Sequence, residues 1–147
     1  MLVTHLLNGG IGMIEAYSAN VDLVSGDNIK FNNTPVRTLS AQLSTDGTKI
    51  NLPITGIYEV TFTTSFTTTG TLSAPEIGTF NLIVNGNESN RAVAQQLIGT
   101  GGAYSVGFTT LVKVVPAPIG NLVTLAVSHN GPAINATTVD IVVTKVA

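Results

Sequence analysis

The sequence predicts an all-β protein, a sandwich, jelly roll or barrel of about eight to ten short strands. Two observations carry this expectation. Apolar and polar residues alternate with period two through most of the chain, while the 3.6-residue period of a helix is weak. Clusters of Gly, Pro, Asn and Asp recur between the alternating runs, where the backbone must reverse.

Taken in chain order, the first runs are Asn20 to Val24 and Asn28 to Phe31, split by Ser25-Gly26-Asp27. Asn32-Asn33-Thr34-Pro35 reads as a turn leading into Thr38 to Leu43, and Thr45-Asp46-Gly47 as a turn before Lys49 to Leu52. From Ile57 to Phe66 the pattern is strongest: Tyr58, Val60, Phe62 and Phe66 share one face, and Glu59, Thr61, Thr63 and Ser65 the other. The Thr-rich stretch from Thr61 to Thr71 is that strand running into a loop. Thr79 to Val84 repeats the pattern and stops at Asn85-Gly86, a pair that tolerates the positive φ of a tight hairpin. Ser89 to Ile98 has a helix-like composition but is ended by Gly99 to Gly102, so a loop or short irregular link is expected. Tyr104 to Val115, Asn121 to His129 and Thr138 to Val146 complete the strands, with turns at Pro116-Ala117-Pro118 and Asn130-Gly131-Pro132.

At 147 residues the chain fits one domain, expected over 16–147, with 1–15 as a flexible or assembly-associated N-terminal segment. The absence of cysteine excludes a disulfide framework, thiol catalysis and a Cys-ligated zinc site. Only 10% of residues are charged, against about 25% in an average domain. Mean hydropathy is +0.39, yet no run approaches the roughly 18 apolar residues of a membrane-spanning helix, so membrane insertion is not expected. A net charge of −2 with scattered Lys and Arg argues against nucleic acid as a partner. Met1 to Ile14 lacks the basic start and unbroken apolar run of a signal peptide.

Several strands are apolar on both faces. Val139, Ile141 and Val143 oppose Val142 and Val146; Val123, Leu125 and Val127 oppose Leu122 and Ala126; Leu111 and Val115 oppose Val112 and Val114. A strand apolar on both faces is usually covered on both. A two-sheet sandwich covers only the inner one, so a neighbouring copy is the simplest second cover, with Leu125, Val127, Val142 and Val146 as candidate contacts. At about 25 cal/mol per Å², an interface of roughly 1,500 Å² would be worth tens of kcal/mol gross, before association costs.

Gly56-Ile57-Tyr58-Glu59-Val60, following the polar hairpin from Leu43 to Leu52, resembles the Gly-x-Tyr strand of C1q-like domains in the complement C1q and tumour necrosis factor superfamily. Ile29-Lys30-Phe31 and the hairpin Phe80-Asn81-Leu82-Ile83-Val84-Asn85-Gly86 follow the same order. The closing Ile141-Val142-Val143-Thr144-Lys145-Val146-Ala147 is similar to the last strand of the C-terminal domain of bacterial collagen-like exosporium glycoproteins, on the spore surface. The resemblance covers Ala16 to Ala147. It implies a ten-stranded jelly-roll sandwich assembled as a homotrimer, with the termini at one end, capping or decorating a surface assembly. No Gly-X-Y stalk precedes Ala16, so either a collagen-like stalk has been removed or this is a stand-alone version, as in some phage fibre and head-decoration proteins. The exterior of a spore or virion is the expected location.

Chemistry is sparse. Of two histidines, His5 lies in the N-terminal segment and His129 reads as a surface turn residue; adjacent strand residues face opposite ways, so Ser128 and His129 form no triad. None of the eight carboxylates has the spacing of an acid/base pair. Asp22 and Asp27 flank a turn but supply too few oxygens for calcium, an ion the resemblance admits near the trimer axis. Asp46 reads as a turn residue. Gly99, Gly101 and Gly102 lack the context of a phosphate cradle. Sequons at Asn32, Asn87 and Asn135 are expected by chance in so Asn- and Thr-rich a chain. No catalytic residue, cofactor or metal ligand is therefore assigned. The alternative to a structural module is a receptor- or glycan-binding one, using the loops Thr68 to Gly78 and Asn85 to Gly102, with Asn85, Asn87, Asn90 and Arg91 as candidate contacts.

Overall fold

Alternation is realised as ten antiparallel strands in a computed structural model that describes residues 12–38, 41–115 and 123–147. The strands are β1 (Met13–Leu23), β2 (Asn33–Arg37), β3 (Gln42–Leu43), β4 (Ile50–Leu52), β5 (Gly56–Thr68), β6 (Glu76–Val84), β7 (Asn87–Ile98), β8 (Ala103–Val114), β9 (Val123–Asn130) and β10 (Ile134–Lys145). A front sheet has the order β2-β1-β10-β5-β8, and a back sheet the order β3-β4-β9-β6-β7. This is a jelly-roll sandwich, with no helix among the described residues.

The core lies between the sheets. Val60, Phe62 and Phe66 of β5 point inward beside Val139, Ile141 and Val143 of β10, and meet Phe80 and Leu82 of β6 and Leu125 and Val127 of β9. Phe80 lies 5.7 Å from Phe62 and 5.5 Å from Phe66 between ring centroids, and Phe108 and Tyr104 extend the cluster to β8. Two of the expected turns fall where the sequence puts them. Asn85 and Gly86 both have positive φ, 52° and 80°, which matches the right-handed twist of the β6–β7 hairpin. Asp46 accepts hydrogen bonds from Ser44 Oγ, Thr48 N and Thr48 Oγ1, and these hold its carboxyl down to about 2.

Four expectations are corrected. Residues 87–98 are not a link but strand β7: Ala92, Ala94 and Ile98 point inward, while Val93, Gln95 and Leu97 point out. Asn33, Thr34 and Pro35 belong to β2, and Pro35 is tolerated because β2 is an edge strand, where a missing N–H breaks no ladder bond on the open side. The first strand begins at Met13, so the expected boundary at residue 16 falls inside β1; residues 1–11, with His5, lie outside the described residues. The proline turn 116–118 and Leu122 also lie outside them. His129 is not on the surface: it is 0% exposed, and its ring lies 5.0 Å from Phe80.

Asn28 to Phe31 pairs as expected but only briefly, through an Asn28–Ser128 bridge and a 2.8 Å bond from Ile29 N to Val127 O. The buried Ser18 hydroxyl ties this segment to β1, donating to Lys30 O and accepting from Asn32 N, each at 2.8 Å. A buried hydroxyl is thereby satisfied in both roles.

Candidate assembly face

The outer side of the front sheet follows directly from register. Three cross-strand rows run over it: Met13, Thr144, Glu59 and Leu111; Glu15, Val142, Thr61 and Thr109; Tyr17, Asp140, Thr63 and Gly107. The middle of this face is flat, because β5 and β8 present small residues there. Thr61 and Thr109 hydroxyls lie 3.1 Å apart, and those of Ser65 and Ser105 lie 2.8 Å apart, so much of their hydrogen-bonding capacity is met within the sheet. Toward the end of the face where β5 begins, exposed apolar side chains are interspersed with exposed Glu59 and Lys113: Leu111 is 63% exposed, Val146 51% and Val115 50%, with Ile57 beside them.

The four candidate contacts divide cleanly. Val142 and Val146 lie on this outer face, Val142 half-buried in its centre and Val146 at its apolar end. Leu125 and Val127 point the other way, into the core, and are 1% and 0% exposed within a single chain. They have no surface to offer a neighbour. The alternation along β9 is as expected, but which parity faces inward is decided by the front sheet packed across the core.

The loop candidates are also separated. Asn85 sits in the tight β6–β7 turn, where its backbone N–H and side-chain oxygen pair with Thr124 at 2.9 Å each. Asn87, Asn90 and Arg91 belong to edge strand β7. That turn lies at the Val123 end of β9, whereas the links 69–75, 99–102 and 131–133 gather at the opposite end. There they tie to one another: Thr68 Oγ1 donates to Gly99 O at 2.7 Å, Leu72 N to Thr100 Oγ1 at 2.8 Å, and Thr69 N to Ala133 O at 3.2 Å. Gly12 and the C-terminal residues meet at the Val123 end, through Lys145 N donating to Gly12 O at 2.6 Å.

Two polar groups stand out electrostatically. Asp140 Oδ1 is buried on the outer front face with no hydrogen-bond partner, and burial raises its carboxyl to about 6, the neighbouring Glu15 carboxyl adding to the rise through a hydrogen bond and its charge. His129 Nε2–H donates to Pro132 O at 2.8 Å, leaving Nδ1 buried and bare; burial lowers its pKa. Among the described residues no three His, Asp or Glu side chains come together as metal ligands. Nor is any helix there long and apolar enough to cross a membrane.

No protein-family model matches this chain, and no curated protein matches it in sequence. The fold is nonetheless shared with solved structures. The Eiger TNF of S. frugiperda superimposes with a TM-score of 0.68 at 12% identity, covering 92% of this chain and 94% of that one. The globular domain of zebrafish complement 1qA gives 0.65 at 6% identity, covering 90% and 94%. Murine APRIL, crystallised at pH 5.0, gives 0.58 at 10% identity, covering 92% and 98%. The architecture is therefore a TNF/C1q-like jelly roll across the described chain.

Proposed function

We propose that this chain is a non-enzymatic structural module that assembles as a homotrimer through the outer face of the front sheet. The observation that carries the reading is the set of exposed apolar side chains Leu111, Val115, Val146 and Ile57 on this face, beside a flat Thr/Ser surface, which nothing in the described chain covers. Covering those apolar side chains is favourable, while Glu15, Glu59, Lys113 and Asp140 on the same face set the hydration cost. The TNF/C1q-like fold supports self-association of the same order. Display on the exterior of a spore or virion, capping or decorating a surface scaffold or collagen-like stalk, rests on the similarity of residues 141–147 to exosporium glycoproteins. The loops tied together at the end opposite Gly12 and Lys145 would then face outward.

Substitutions on the two outer faces test the assembly. Val142→Glu and Leu111→Glu should each yield a folded species of one-chain mass by light scattering. Leu97→Glu, on the outer back sheet, should keep the mass of the unmodified protein. Unchanged mass in both front-face variants would exclude this face as the interface.

A further inference from the structure

Asp140 occupies the centre of the face just described, in a row with Tyr17 on one side and Thr63 on the other. Glu15 is its diagonal neighbour: it pairs with Val142, two residues along β10, so both carboxyls project from the same side of the sheet. Among the described residues no cation balances them there. Tyr17 and, toward the far end of the strand, Asp22, which accepts from Asn135 Nδ2 at 2.9 Å, are the other titratable groups of β1 on this side. From β5, Glu59 lies two rows away, opposite Thr144; from β8, Lys113 pairs with Ile57, further still. Arg37 of β2 pairs with Ile14, whose side chain points to the inner face. The buried Asp140 Oδ1 has no partner.

Two carboxyls this close hold a proton between them more readily than two charges, and covering the face with another copy removes the water that would otherwise screen them. We propose that the Glu15–Asp140 pair makes self-association acid-favoured, each subunit holding one shared proton, taken from solvent, while the front face is covered. This rests on the assembly reading above. The elevation of Asp140 to about 6 already present in the single chain supports it and sets the window. Below that pH both the free and the assembled chain carry the proton, and association is level. Above it, assembly must take up protons, one per subunit, so the trimer association constant falls by up to about a thousandfold per pH unit.

The test is the association constant from sedimentation between pH 5 and 8, for the unmodified chain and Asp140→Asn, together with the carboxyl carbon shift of Asp140 by NMR. The expected result is a constant that weakens above about pH 6 in the unmodified chain, nearly level behaviour in Asp140→Asn, and an Asp140 shift that titrates higher in the trimer than in Leu111→Glu monomers. A trimer whose strength is independent of pH, or falls equally in Asp140→Asn, overturns the proton-linked inference alone. A constant that rises with pH overturns it too, by showing that a cation of the neighbouring copy pairs with Asp140. A monomer at every pH in both proteins overturns the assembly reading itself.

Discussion

The imidazole of His129 packs at a tilt against Phe80, donates one N–H to Pro132 O and has no hydrogen-bond partner for its second nitrogen among the described residues. A bare acceptor in an apolar core is tolerable; a second N–H with positive charge is far less so. The folded state therefore prefers the neutral ring and its pKa lies below the ordinary value of about 6.5. The stability contributed is complete above the unfolded pKa and is lost as pH falls below about 6.5 toward the folded value. Asp140 acts in the opposite sense, since its raised carboxyl relieves a penalty as pH falls through about 6. Comparing variants separates the two. Between pH 7.5 and 5 the urea midpoint of the unmodified chain should drop relative to that of His129→Gln; equal drops would remove His129 from the account. The sequence placed His129 at a strand end beside Asn130-Gly131 and so on the surface. Its burial comes from Gly78 and Gly131 on flanking segments. Cβ atoms there would lie 2.2 Å from Ile98 Cδ1 and 2.7 Å from Ile77 O, and no local pattern reveals that closeness.

At the scale of elements, β7 is the instructive case. Ala, Gln, Arg and Leu favour a helix, and the register with β6 slips by three residues between Asn81 and Ile83, which blurs the alternation near Ser89 to Arg91. Pairing with β6 overrides that preference, and from Ala92 onward the inward and outward residues alternate. Ala94→Asp should then cost about 3 kcal/mol or more, by putting a carboxylate in the core. Gln95→Asp, one residue on and facing solvent, should change stability by no more than about 0.5 kcal/mol. Chemical denaturation measures both, and similar costs would argue for an irregular link. Strong alternation made β5, β6, β8 and β10 legible, because each has large apolar residues on one parity. β1 was half-seen, since Ala16 and Ser18 fill inward positions with small or polar side chains. β2 was hidden by Pro35, which marks turns more often than edges.

For the whole molecule, two-faced apolar strands were the clearest sequence signal for a partner, and the structure sorts them. Val139, Ile141 and Val143 fill the sandwich, as do Leu125 and Val127, while Val142, Val146, Leu111 and Val115 lie on the outer side of the front sheet. Val142 and Val146 thus lie where a neighbour could reach them and Leu125 and Val127 do not, because parity is local while which parity is inward is decided by the other sheet. Absolute mass by light scattering behind size exclusion, over a dilution series at pH 6, tests the central claim most directly. A species of about three times 15.2 kDa that persists on dilution is the expected result. A folded species of 15.2 kDa throughout would contradict it, and would leave the outer face of the front sheet uncovered.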